Sequence, residues 1–152
     1  MFVDTLPATA DGKIDLVPAA LDAEAPLGLY GYQPDPATAE FPIALISPAI
    51  AQQISSTFGQ LRKRPVAVEL SADDAAARHI TDGATVRIWN ALGEVVCTAT
   101  VSRHLRPGLA VLPKGLWRFH TRNGASSNAL IPATLADLGG GPVYNDARVQ
   151  IA

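Results

Sequence analysis

The chain has 152 residues, of which 48% are apolar and 17% charged, and its formal net charge is −2. This length and composition suit one globular domain with a sizeable core and exclude a disordered chain. The charge balance argues against nucleic acid as the main partner, and the single cysteine, Cys97, excludes a disulfide framework. We see no signal peptide and no run of membrane-spanning length. The expectation is therefore a soluble, cytoplasmic protein, or a periplasmic one if an export signal lies elsewhere.

The first 40 residues are weakly patterned, and the first clear element is a short apolar strand at residues 43–46. Apolar side chains then recur at near-helical spacing, at Ile50, Ile54, Phe58 and Leu61. Such spacing is typical of a helix or helical turn with one buried face.

The most strongly patterned stretch runs from residue 66 to residue 101. Alternating Val66, Val68 and Leu70 predict a strand, and Ser71 then caps a short helix with Asp74 three residues further on. Two more strands, at residues 84–89 and 94–101, are joined by a tight hairpin. In this hairpin we expect Gly93 to occupy a position with positive φ.

Three further regions complete the chain. A turn at residues 106–108 leads into a strand at residues 109–113, and residues 114–132 are irregular and polar. The last strand alternates over residues 147–151. With six or seven strands and two short helices in total, the pattern predicts a mainly β fold, a small barrel.

Motifs for self-sufficient catalysis do not stand out. The three histidines show no metal-ligand spacing, and His79 is better interpreted as a helix cap. Cys97 alternates in phase with apolar neighbours, which favours a buried structural thiol. Trp89 also alternates in a strand and is expected in the core. We therefore predict neither a catalytic residue nor a metal ligand in this chain.

Neutral polar side chains follow the ends of several predicted strands. Their hydroxyl and amide groups suit purine edges and phosphate oxygens, although loop capping is the commoner role for each one alone. Trp117, in an irregular polar loop, is the better of the two tryptophans for stacking on a heterocycle. The candidate binding residues are Ser47, Ser55, Ser56, Thr57, Trp117, Asn128 and Asn145.

Several short motifs, in one order, make the chain similar to a known family. Within residues 66–101 the matching positions are Asp74, Ala75, Ile80, Gly83, Val86, Asn90 and Gly93. Outside that stretch the matching segments are Leu45–Pro48, Ile54–Gly59, Pro113–Trp117, Asn128–Pro132, Asp137–Gly141 and Asn145–Ile151. Together they resemble the C-terminal dinucleotide-binding domain of the molybdopterin oxidoreductases, the bis-pterin family that includes dimethyl sulfoxide reductase.

The resemblance implies a six-stranded double-psi β-barrel over residues 41–152. It implies that the candidate residues contact a bis-molybdopterin guanine dinucleotide cofactor carrying molybdenum or tungsten. Ile131 stands where the family commonly has threonine, which removes one hydrogen bond. The metal ligand would come from other domains, so this domain would orient the cofactor and not act alone.

Two further points concern organisation and alternatives. Gly12–Leu16 is similar to the linker before the family's C-terminal domain, so residues 1–40 are expected to be an arm or a linker from a larger catalytic subunit. The alternative function is protein recognition without a cofactor, since double-psi barrels also serve chaperone-type ATPases in that way. A self-processing decarboxylase would need a Gly-Ser bond, which this sequence lacks.

Overall fold

A computed structural model describes residues 4–24, 37–51, 53, 55–61, 65–136 and 139–152. The chain divides into two compact units, one of residues 1–34 with 137–139 and one of residues 35–136 with 140–152. In the first unit the helix α1 spans Ala19–Glu24, which the sequence pattern did not predict, and buries none of its residues. No helix among the described residues is long and apolar enough to span a membrane.

The second unit is built on six strands that close into a barrel in the order β1-β5-β2-β4-β3-β6. The pairs β1/β5 and β2/β4 are parallel, and the other four neighbouring pairs are antiparallel. This confirms the predicted mainly β six-stranded barrel, and each strand lies within about two residues of its predicted position. The strands are β1 Ile43–Ile46, β2 Ala67–Ser71, β3 Thr85–Asn90, β4 Gly93–Ser102, β5 Leu109–Val111 and β6 Ala147–Ile151.

The pairing directions give the barrel two different ends. Strands β1, β3 and β5 run one way, and β2, β4 and β6 run the other. The connections at residues 47–66, 91–92 and 112–146 therefore leave from one end, which we call the long-loop end. The connections at residues 72–84 and 103–108 leave from the other, which we call the helix end.

Side chains that alternate along the strands fill the barrel. In β4, Val95, Cys97 and Ala99 are buried, which agrees with the predicted structural role of the thiol. The core prediction for Trp89 is wrong, because the inward phase of β3 belongs to Val86 and Ile88. Trp89 instead lies half-buried on the outer face, with the Arg87 guanidinium 4.5 Å from its ring centroid.

At the helix end, α2 (Ala72–Ala77) begins at the predicted cap, since the Ser71 hydroxyl accepts the amide hydrogen of Asp74 at 3.0 Å. The Asp74 carboxylate also accepts the Ser71 hydroxyl at 2.7 Å and the Gly108 amide at 2.7 Å. Its other oxygen pairs with Arg78 at 3.2 Å. Asp74 thus ties α2 to the turn that precedes β5.

The C-terminus of α2 is a Schellman motif. The His79 amide donates to the Ala76 carbonyl and the Ile80 amide donates to the Ala75 carbonyl, while His79 has φ +55°. His79 therefore ends the helix, as predicted, but through its backbone conformation. That conformation usually belongs to glycine.

Two local predictions fail for identifiable reasons. Gly93 does not have positive φ; a Cβ there would lie 2.8 Å from the Ala129 carbonyl oxygen, so close packing demands glycine. Around residues 50–61, the helix or helical turn was predicted to bury an apolar face; among the described residues the structure has a 3₁₀ turn at Gly59–Leu61, and Leu61 is 73% exposed. Ser55 and Phe58 adopt positive φ, which interrupts a helix, and Phe58 is 56% exposed.

Candidate functional site

All seven predicted binding residues lie in the two long connections at the long-loop end. Ser47, Ser55, Ser56 and Thr57 belong to residues 47–66, and Trp117, Asn128 and Asn145 belong to residues 112–146. These connections follow β1 and β5, which are parallel neighbours, so they start side by side. The topology therefore brings residues that are nearly a hundred positions apart to one end of the barrel.

Hydrogen bonds join the two connections along their first halves. The Leu112 amide donates to the Ile46 carbonyl at 3.0 Å, and the Lys114 amide donates to the Pro48 carbonyl at 3.0 Å. The Gln53 side-chain amide donates to the Gly115 carbonyl. Gln53 was not among the residues predicted from sequence, because it lies within a pattern that resembles a helix face.

Gly115 lies where the backbones of the two connections approach each other closely. It has φ +73°, and an added Cβ would lie 2.1 Å from the Ser55 carbonyl carbon and 2.6 Å from the Ser56 nitrogen. The Trp117 indole lies beside this contact and donates to the Ser56 carbonyl at 2.8 Å. Ser55 and Ser56 thus join the two connections through backbone atoms, and their side chains and that of Thr57 are exposed.

A second group of contacts joins the start of the first connection to the end of the second. Ser47 is buried, and its backbone amide donates to the Asn145 Oδ1 at 3.1 Å. Tyr144, the residue before Asn145, donates its hydroxyl hydrogen to the Asn128 Oδ1. The Lys114 ammonium lies 6.0 Å from the centroid of the Tyr144 ring. These contacts join Ser47 to Asn145 directly and connect Asn128 to them through Tyr144.

Among the described residues of these connections, three buried side-chain oxygens have no hydrogen-bond partner within the described part of the chain. They are the Ser47 Oγ, the Gln53 Oε1 and the Ser127 Oγ. Buried polar atoms are nearly always hydrogen-bonded, because leaving one unpaired costs about 1–3 kcal/mol. Such oxygens occur in both connections, so each connection has hydrogen-bonding capacity that the described residues leave unused.

Two buried titratable side chains, one in the second long connection and one in the middle of β4, serve structural roles. His120 is buried, and its Nδ1 accepts the Trp117 amide hydrogen at 3.0 Å, which closes a 3₁₀ turn at Arg118–His120. Burial raises the pKa of the Cys97 thiol to about 11, so this thiol is protonated at neutral pH. Among the described residues, no cluster of three His, Cys, Asp or Glu side chains could hold a metal ion.

Comparison with protein families shows to which family the chain belongs. Residues 43–148 match the family described as the molydopterin dinucleotide binding domain. The chain belongs to this family. The match covers the first five strands, both long connections and the start of β6, so the resemblance drawn from short motifs is confirmed.

Relatives and a solved structure agree with this assignment. The chain is 34% identical over 157 residues to "Probable oxidoreductase YoaE" of Bacillus subtilis, a match that covers 99% of this chain and 23% of that protein. It is 30% identical over 130 residues to "Dimethyl sulfoxide reductase DmsA" of Escherichia coli, covering 72% and 16%. The fold resembles "Acetylene Hydratase from Pelobacter acetylenicus" with a TM-score of 0.73 at 14% identity, covering 97% of this chain and 24% of that one.

The chain therefore spans about a quarter or less of these relatives. It is a molybdopterin dinucleotide binding domain of the molybdopterin oxidoreductase family, in which such a domain is part of a larger catalytic subunit. The assignment of the seven candidate residues to cofactor contact stays a prediction. The same holds for the boundary predicted between residues 40 and 41.

Proposed function

We propose that this chain binds bis-molybdopterin guanine dinucleotide, carrying molybdenum or tungsten, at the long-loop end and orients it within a larger oxidoreductase. The observation that supports this most directly is the set of unpaired buried oxygens in the same two connections that hold the candidate residues. A ligand with many polar atoms would supply the missing partners.

The residues present suit such a cofactor. Ser47 and Ser127 can each donate or accept, and the amides of Asn128 and Asn145 can reach carbonyl or phosphate oxygens. Trp117 is 40% exposed, so part of its ring is open to stacking. When bound, the metal and the pterin dithiolenes supply the redox chemistry. The residues of this domain hold the cofactor in place.

The proposed partner is the remainder of a catalytic subunit. Apolar side chains are exposed around the contact between the two connections, including Phe58 at 56% and Phe119 at 51%. The Phe119 ring centroid lies 6.0 Å from that of Trp117, so these two partly exposed aromatic rings are neighbours. A surface of this kind usually marks a protein contact.

Substitution of Asn128 tests the proposal. In the full-length protein, Asn128→Ala is expected to lower the cofactor carried per polypeptide several-fold, since one hydrogen bond contributes about 0.5–1.5 kcal/mol. Molybdenum or tungsten content and GMP released by acid hydrolysis would be measured together with the melting temperature. Gln150→Ala, which removes a carboxamide nearer the helix end, is the matched control and should leave the cofactor content unchanged. Wild-type protein without metal, pterin or GMP would refute the proposed function.

A further inference from the structure

The carboxamide of Asn145 has a fixed orientation. Its Oδ1 accepts the backbone amide hydrogen of Ser47 at 3.1 Å. A backbone N–H can only donate, so the oxygen of the carboxamide must face Ser47. The Nδ2 group must then face away, toward solvent, since Asn145 is exposed. Asn145 therefore offers two amide hydrogens to any molecule at this end of the barrel.

The carboxamide of Asn128 is oriented in the same sense by a side chain that the sequence analysis did not select. The Tyr144 hydroxyl donates to the Asn128 Oδ1, which leaves the Nδ2 of this exposed residue directed elsewhere. A phenol is a better donor than acceptor, so this arrangement is the favoured one. Tyr144 is itself half-buried, and the residue that follows it, Asn145, is bonded to Ser47.

Both asparagines thus present donors, and a cation lies beside them. The Lys114 ammonium is 6.0 Å from the centroid of the Tyr144 ring, and the Lys114 backbone is bonded to Pro48, the neighbour of Ser47. Amide hydrogens and an ammonium group all favour ligand atoms that accept hydrogen bonds. Each Oδ1 already accepts one hydrogen bond from the chain, whereas neither hydrogen of either Nδ2 is engaged in these two contacts, so these carboxamides favour acceptor atoms of a ligand over amino groups such as those of guanine and pterin.

We propose that Asn128 and Asn145 donate to acceptor oxygens of the bound cofactor, either phosphate or ring carbonyl oxygens, and that Tyr144 is the positioning residue that fixes Asn128 for this contact. This inference rests on the proposed function. It adds which atoms of the ligand face these residues.

A comparison of two substitutions at one position tests the donor role. In the full-length protein, Asn128→Asp keeps the acceptor for Tyr144 but replaces the amide donor with a negative charge. If the ligand atom is an oxygen, Asn128→Asp should reduce GMP and pterin content further than Asn128→Ala, by about tenfold or more. If the ligand group were an amino group, Asn128→Asp would retain the cofactor as well as the wild type does. That result would overturn the inference.

Salt distinguishes the two sources of oxygen. Repulsion between a carboxylate and a phosphate is screened as NaCl rises from about 0.05 M to about 1 M. A phosphate partner predicts that the extra loss caused by Asn128→Asp over Asn128→Ala shrinks at high salt. A neutral carbonyl partner predicts that the difference is largely kept. Either result supports the donor role and identifies the atom.

The role of Tyr144 is tested with Tyr144→Phe, which keeps the ring near Lys114 and removes only the hydroxyl. We expect a several-fold loss of cofactor at an unchanged melting temperature. Adding Tyr144→Phe to Asn128→Ala should cause no further loss, because the hydroxyl acts through Asn128. An additive loss, or no loss from Tyr144→Phe alone while Asn128→Ala still loses cofactor, would refute the positioning role and leave the proposed function standing.

Discussion

The two ends of the barrel differ in how their polar groups are used. At the helix end the connections are short, and a single carboxylate, that of Asp74, contacts Ser71, Gly108 and Arg78. At the long-loop end the connections are much longer, and they contain three buried oxygens without partners. The helix end satisfies its polar groups internally, whereas the long-loop end holds polar groups that nothing in the described part of the chain satisfies.

This difference separates stability from binding within one small fold. Satisfied polar networks stabilise a particular structure, and unsatisfied ones lower stability unless a ligand completes them. Substitutions at the helix end should therefore change the free energy of unfolding and leave cofactor content alone. Substitutions of the candidate binding residues at the long-loop end should lower the cofactor content and leave the free energy of unfolding nearly unchanged.

The largest effect is expected from Asp74→Ala. It leaves the Gly108 amide without its acceptor and removes the ion pair with Arg78, so the free energy of unfolding should fall by about 3 kcal/mol. Asp73→Ala is the matched control: Asp73 is exposed in the same helix turn and should cost less than about 1 kcal/mol. Chemical denaturation measures both. Similar losses from the two variants would mean that the contacts of Asp74 contribute little.

The helix end and the barrel wall were largely predictable from sequence. Alternation places Val68 and Leu70 inward, and the spacing of Ser71 and Asp74 predicts the cap, because both signals are local. The family motifs also predicted the barrel. The prediction for Trp89 was wrong because Trp89 shares its phase with Thr85 and Arg87, whereas Val86 and Ile88 face inward.

The long-loop end was less predictable because its structure depends on contacts between distant segments. The contact of Gln53 with Gly115 spans 62 positions, and that of Ser47 with Asn145 spans 98. Neither leaves a periodic signal. Positive φ at Ser55 and Phe58 also contradicts the helical spacing of the surrounding residues, and neither residue type favours that conformation. Tyr144, the residue that orients Asn128, shows no pattern at all in the sequence.

A pH titration tests how the buried Cys97 thiol, in the barrel wall between the two ends, affects stability. Because burial raises the pKa of Cys97 from 9.0 to about 11, the folded protein keeps this proton after the unfolded chain has released it. The protonated thiol therefore makes its full contribution to the free energy of unfolding below pH 9. This contribution should be lost as the pH rises from 9 toward 11, which lowers the free energy of unfolding by at most about 2.7 kcal/mol. Cys97→Ala should lose this difference between pH 9 and pH 11. An equal slope in both proteins would show that the thiol is not the cause.

A smaller effect of opposite sign is expected at the end of α2. His79→Gly relieves the left-handed conformation at φ +55° and should raise the free energy of unfolding by about 0.5–1 kcal/mol. His104→Gly is the control, since His104 is also exposed but does not have positive φ. It should not stabilise the protein. If His79→Gly fails to stabilise, the helix end carries no strain at this position.

The smallest change in stability is expected at the long-loop end, from Ser47→Ala. The Ser47 Oγ is buried without a partner, so its removal should leave the free energy of unfolding of the cofactor-free protein unchanged or raise it by up to about 1 kcal/mol. The cofactor content should nevertheless fall. Ser102→Ala, which removes a hydroxyl that accepts from His104, should slightly lower stability without affecting the cofactor. The contrary result would be a Ser47→Ala protein that is destabilised and still carries its full cofactor content. The Ser47 hydroxyl would then stabilise the fold and not the bound ligand, so the polar groups of both ends would have the same structural role.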